Sequence, residues 1–292
     1  VTQITDGLRC ANCAEPLHGD FCARCGQRSR DLRQPLGHFL REGVEDLFNL
    51  DTRFFRTIVP LLVRPGNVTR DYHAGRRASF VPPFRTYLVA ALIFFGVFTL
   101  FPGEEQPRAW VVTRGSPEAA ELEALRKAGK LSGTTFEVPP HSPFFDVAYQ
   151  ASVARAKANP QAFMRSAFEN IPRTFFLLVP LFALLLELFY RKQGFYLEHL
   201  VFALYYHAFV FYALAIRYVL GNVDDWMWPA VRVALAVPMW GWILVYLPLA
   251  LRRVYLGSWP RTLLKVVGLG VLYFPLMGLS FIVMMFVALA RF

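Results

Sequence analysis

The sequence predicts an all-α polytopic membrane protein with about five transmembrane helices and a small N-terminal four-cysteine ribbon. Three observations carry this expectation. Of 292 residues, 55% are hydrophobic and only 18% charged, with 28 Phe, 12 Tyr and 6 Trp; the mean hydropathy of +0.36 is far from a soluble average. Apolar runs of bilayer-crossing length recur along the chain. All four cysteines stand near the N-terminus, as Cys10-Ala11-Asn12-Cys13 and Cys22-Ala23-Arg24-Cys25. A net charge of +10 would point a soluble chain towards nucleic acid. In a membrane protein it argues for orientation instead, so a nucleic-acid partner is not expected.

Residues 1–30 form the expected ribbon. One C-x-x-C turn can aim two thiolates at a tetrahedral ion, and two such turns complete a closed four-sulfur site of Cys10, Cys13, Cys22 and Cys25. Ala14 to Phe21 suffices for a short hairpin, with turn chemistry from His18-Gly19-Asp20. Four protein sulfurs leave no coordination position for water or substrate. The expected cofactor is therefore a structural Zn²⁺, with a redox dithiol pair or disulfides as the alternatives. Arg9, Arg24 and Arg28 would offset the site's charge of about −2. Thiolate sites persist where thiols stay reduced, which places this end in the cytosol.

Residues 31–83 read as cytosolic interfacial amphipathic helices. Leu36, Phe39, Leu40, Val44, Leu47 and Phe48 share one face, opposite Arg41, Glu42, Glu45 and Asp46. A second segment opens at Asp51, a fitting N-cap, and carries Phe54, Phe55, Ile58, Val59 and Leu62 opposite Arg53 and Arg56, with a bend at Pro60. A Pro65-Gly66 turn, a short helix from Asn67 and a stop at Gly75 complete the connector. Arg53, Arg56, Arg64, Arg76 and Arg77 can meet anionic lipid at the inner leaflet. Packing against the bundle is the competing reading.

The expected spans are 84–102, 172–190, 199–220, 229–251 and 266–290. The first is the shortest apolar run and could be re-entrant. Residues 103–171 contain no span and read as an extracytoplasmic helical loop region, followed by a four-helix transmembrane region over 172–292. With the ribbon inside, the cytosolic turns hold Arg191, Lys192, Arg252, Arg253, Arg261 and Lys265, whereas Gly221 to Trp228 carries Asp224 and Asp225 and no Lys or Arg. That asymmetry matches a cytosolic N-terminus and an extracytoplasmic C-terminus in an inner membrane. Trp226, Trp228 and Trp259 sit where interfacial anchors belong.

Ionisable groups within a span are expensive and need internal partners. At about 100° per residue, Glu198, His199, Tyr205, Tyr206, Tyr212 and Arg217 share a broad arc of the third span, and His207 lies opposite. These seven residues form a candidate intramembrane polar site, either hydrogen-bonding neighbouring helices or lining a path for a small solute or lipid headgroup. Glu198, His199 and His207 could hold one ion or serve as acid and base, yet no nucleophile or electrophilic stabiliser accompanies them. No catalytic residue is assigned, and the sequence leans away from an enzyme. Glu187 and Arg191, at i and i+4, can pair.

A ribbon followed by "HFLREGVEDLFNLDTRFFRTIVPLLVRPGNVTRDYHAGRRASFVPPFRTYL" and later by "YLEHLVFALYYHAF" resembles the bacterial membrane family catalogued as domain of unknown function 3667. The resemblance is most specific over residues 10–95. It implies a bacterial inner-membrane protein and supplies no reaction. The family pattern has a histidine where this chain has Tyr205, a departure that weakens an intramembrane metal reading.

Three functions follow as expectations. The first is a non-enzymatic membrane protein whose ribbon recruits a cytosolic protein or whose interfacial helices organise lipid. The second is a small-solute or lipid transporter or channel using the polar face, as a homo-oligomer. The third is a membrane lipid-modifying enzyme.

Overall fold

The computed structural model describes residues 9–28, 53–100, 160–223 and 229–291. The first amphipathic segment, Asp51, residues 103–159 and the turn bearing Asp224 to Trp228 lie outside these. Every regular element described is helical: α1 Arg53–Val63, α2 Asn67–His73, α3 Pro83–Leu100, α4 Pro160–Tyr190, α5 Tyr196–Val223, α6 Pro229–Tyr255 and α7 Trp259–Arg291. The ribbon carries two isolated antiparallel bridges, Arg9 to Pro16 and Phe21 to Arg28.

Four helices are long and apolar enough to cross a membrane, over Asn170–Tyr190, Tyr196–Gly221, Ala234–Tyr255 and Trp259–Leu289. The first expected span, 84–102, does form α3, but its apolar stretch among the described residues, Pro83–Val97, is shorter. The chain divides into two compact units, one of residues 1–102 and 177–275 and one of 103–176 and 276–292. In the smaller unit, Arg173 donates to Asn170 Oδ1, and Phe175 meets Phe281 edge-on at 6.1 Å.

In the larger unit α5 is the core. Its span is 78% buried, against 33%, 17% and 11% for the other three. α3 packs along α5 more extensively than any other described pair. The contact is aromatic: Phe211 lies 5.7 Å from Tyr87 and stacks on Phe94 at 5.4 Å. On another side Phe209 stacks on Tyr246 of α6. A third side sets Tyr206 and His207 on Phe182 of α4. Large rings near optimal separation bury much apolar area each, and this fixes helix rotation without a water-driven contribution between spans.

α1 and α2 pack on this bundle. Thr57 and Leu61 are buried under α1, and Val68, Thr69 and Tyr72 under α2. The turn between them is set by Gly66, whose φ of 72° lies in the left-handed region and whose hydrogen faces Ala250. A Cβ there would meet the Ala250 carbonyl oxygen at 2.7 Å, backbone that cannot swing away. Replacing Gly66 by Val is therefore expected to cost about 1–3 kcal/mol in overpacking and about 1–2 kcal/mol in backbone strain. Thermal unfolding in detergent checks this. Gly241→Ala, where nothing lies within 4 Å of the added methyl, is the control and leaves the midpoint unchanged or raised.

Candidate functional site

Each knuckle is built locally. Cys10 N–H donates to the Glu15 carbonyl and Ala14 N–H to that of Cys10; twelve residues on, Cys22 N–H donates to Gln27 and Gly26 N–H to Cys22, all at 2.8–2.9 Å. The two turns bring Cys10 Sγ within 3.6 Å of Cys25 and Cys13 Sγ within 3.4 Å of Cys22. All four sulfurs lie within 4.8 Å of one another, and none is in a disulfide. Four thiolates at about 2.3 Å from a tetrahedral centre stand about 3.8 Å apart, so the quartet fits a metal ion. It is the sole such group of His, Cys, Asp or Glu side chains among the described residues.

The thiols differ. The Cys25 N–H, then that of Arg24, favours the Cys22 thiolate and lowers this thiol to about 7. At Cys13 the Glu15 N–H also favours the thiolate, but desolvation and hydrogen bonds with the other three sulfurs push it up to about 12. At neutral pH a metal ion must therefore displace protons, and affinity falls as pH is lowered.

The ribbon is clamped to the connector after α2. Gln27 Nε2 donates to the Gly75 carbonyl at 2.7 Å, and Gln27 Oε1 accepts from the N–H groups of Arg77 and Ala78, both at 3.0 Å. Ser79 Oγ donates to Asn12 Oδ1 at 2.8 Å. Gly75, at φ 85°, lets Ala11 approach so closely that a Cβ would lie 2.9 Å from the alanine methyl.

The connector is in turn bonded into the bundle. Val81 N–H donates to Thr57 Oγ1, and the Val81 carbonyl accepts from Tyr205 Oη, both at 2.8 Å. Thus Tyr205, 1% exposed at the centre of α5, holds the loop that holds the ribbon. Nothing in the spacing of the sequence signals this link.

The other residues of the expected polar arc take separate partners. His199 is fully buried, with Nδ1 2.6 Å from Tyr255 Oη and Nε2 3.2 Å from a Glu187 carboxylate oxygen, an ion-pair distance outside hydrogen-bond geometry. Glu187 thus meets His199, and the expected pair with Arg191 is not formed among the described residues. His207 Nδ1–H donates to the Ala203 carbonyl, which leaves Nε2 to accept from Tyr273 Oη at 2.8 Å. Glu198 Oε2 accepts from the Phe195 N–H, closing the first turn of α5 as a capping carboxylate. His73 of α2 donates through Nε2 to the Glu198 carbonyl, and burial lowers its pKa below the usual histidine value. Tyr206 stacks on Phe182 at 5.5 Å. The structure does not gather Glu198, His199 and His207 about one point. Tyr212 Oη and Arg217 Nε are buried without a hydrogen-bond partner among the described residues.

Tyr190, Tyr255 and Lys265, the last expected only as a charge in a basic turn, join this region through tertiary packing. Tyr190 stacks on Tyr255 at 4.1 Å, and Lys265 Nζ lies 3.7 Å over the Tyr190 ring while donating to the Phe189 carbonyl. Of the membrane-surface arginines, Arg76 pairs with Asp71 at 2.5 Å and Arg77 lies over Tyr72, whereas Arg56 and Arg64 are exposed.

Two outcomes are expected. Tyr205→Phe removes the shorter of two hydrogen bonds to the buried Val81 carbonyl, leaving Thr86 Oγ1 at 3.4 Å, and costs about 1 kcal/mol, read as a lower unfolding midpoint and faster proteolysis between residues 74 and 82. Purified full-length protein carries one metal ion per chain by elemental mass spectrometry; Cys22→Ser loses it, and the wild type releases it progressively as the buffer is acidified.

Residues 51–95 match the family described as protein of unknown function (DUF3667). The match spans α1, the Gly66 turn, α2, the clamped connector and most of α3. No curated protein and no solved structure matches the chain. The family match supports the resemblance read from the sequence, over the segment that bonds ribbon to bundle.

Proposed function

We propose that this is a multi-pass inner-membrane protein whose ribbon holds a structural Zn²⁺ on the cytosolic side and offers a fixed platform to a cytosolic protein. The observation that carries the reading is the clamp: Gln27 and Asn12 bond the ribbon to a connector that Tyr205 bonds to the central helix. A loose tether would leave the ribbon free to tumble. A clamped one keeps a constant face towards a partner and loses less entropy on binding.

An all-thiolate set favours zinc among common cytosolic metals, and its closure favours a structural role. Reduced thiols and the basic turns at Arg191, Lys192, Arg252 and Arg253 support a cytosolic N-terminus. The ribbon's outward edge supplies the docking chemistry. Phe21 is 56% exposed beside the exposed His18-Gly19-Asp20 turn, with Arg28 over its ring at 5.3 Å. An exposed aromatic rimmed by charge is a common anchor for protein contacts.

A conduit for a small solute or lipid is the second reading, and the orphan hydroxyl of Tyr212 with the orphan Nε of Arg217 favours it. Equal leak from protein-bearing and empty vesicles would remove it.

The platform is tested by placing a photo-crosslinking amino acid at His18 or Phe21 of the full-length protein in its native membrane. The expected result is a discrete polypeptide adduct that Cys22→Ser abolishes while membrane insertion persists. Failure of both positions to capture protein, or capture that survives loss of the metal site, would count against the platform.

A further inference from the structure

α1 has three faces, and they differ in burial. At about 100° per residue, the buried Thr57 and Leu61 point to the bundle. Phe55, Val59 and Val63, spaced four apart, form a second face and are 73%, 54% and 57% exposed. Arg53 and Arg56 form the third, and Arg64 follows directly on the same side; all three arginines are exposed. A helix on a water-facing surface has no use for a Phe-Val-Val stripe, while a helix buried in a bundle has none for three arginines.

The end of α1 says where it sits. Its last carbonyls have no partner within a helix, and on a wet surface water would supply one. Here spanning side chains of α6 do so: Tyr246 Oη donates to the Leu61 carbonyl at 2.7 Å and Trp242 Nε1 to the Leu62 carbonyl at 2.8 Å. Arg253 donates to the Pro65 carbonyl at 2.9 Å. Tyr246 is seven residues from Arg253, about 10 Å along α6, which matches the depth reached by the apolar face of an interfacial helix. Giving helix-end carbonyls internal donors is what a medium without water demands. Trp242 thus bonds the end of α1 to α6, whose outer face leaves the apolar Val237, Leu244 and Val245 exposed.

We infer that α1 lies in the leaflet at the ribbon's side of the membrane, with Phe55, Val59 and Val63 among acyl chains and Arg56 and Arg64 on anionic phosphate headgroups. The occupant of this surface is therefore lipid. The inference depends on the membrane location and stands apart from the partner reading, so either can fail alone.

Full-length protein reconstituted in vesicles of phosphatidylcholine and phosphatidylglycerol carries p-benzoylphenylalanine in place of Phe55, Val59, Val63 or Arg56, with Val267, exposed on α7, as the lipid-facing reference. Irradiation and mass spectrometry are expected to give acyl-chain adducts at positions 55, 59, 63 and 267, and none at 56. Adducts to a second copy or another polypeptide at 55, 59 and 63, or no lipid adduct there while 267 yields one, would overturn the inference. Gln in place of Arg56 and Arg64 is expected to reduce preferential retention of phosphatidylglycerol by about fivefold per arginine; unchanged selectivity would overturn the headgroup assignment. These positions are exposed, and the metal content of each variant reports that its ribbon has folded.

Discussion

Polar groups inside an apolar bundle must find their partners within the protein, because no water is present to take their place. Val81 is where this constraint acts most broadly. Its N–H is taken by Thr57 of α1, its carbonyl by Tyr205 of α5, and Thr57 Oγ1 itself donates to the Arg53 carbonyl. One residue outside any helix thereby joins α1, the connector, the start of α3 and the central helix. Both its backbone groups are spent on tertiary contacts, so the connector has a single pose.

The ribbon takes its pose from that node. Gln27 uses its amide as a backbone mimic, donating to one carbonyl and accepting from two successive N–H groups. A lysine or glutamate could not do both, since one only donates and the ionised other only accepts. Metal binding would make the two knuckles rigid, and the clamp would pass that rigidity to the connector. The functional proposal thus rests on backbone satisfaction as much as on sulfur chemistry.

The central helix shows the same economy on its other sides. Its histidines are matched singly with tyrosines from α6 and α7, and Glu198 closes its first turn. Tyr and His can pack a ring against apolar neighbours while pointing one polar atom at a partner. This is why a helix so rich in polar side chains can be the most buried of the spans.

What the sequence by itself determined were the features whose physics is local. C-x-x-C spacing brings sulfurs together through a turn of four residues, and hydropathy over about 20 residues sets span length. The quartet and four of the expected spans were therefore legible, and the first, at 84–102, was marginal because its apolar run is the shortest of the five. The tertiary structure alone decided which polar groups meet. The wheel put Glu198, His199 and Tyr205 on one arc, yet they became a helix cap, a buried ring set between a tyrosine and a carboxylate, and the anchor of a loop. Their partners, Phe195 apart, lie 12 to 124 residues away along the chain, and helical periodicity carries no information about which neighbour a face will meet.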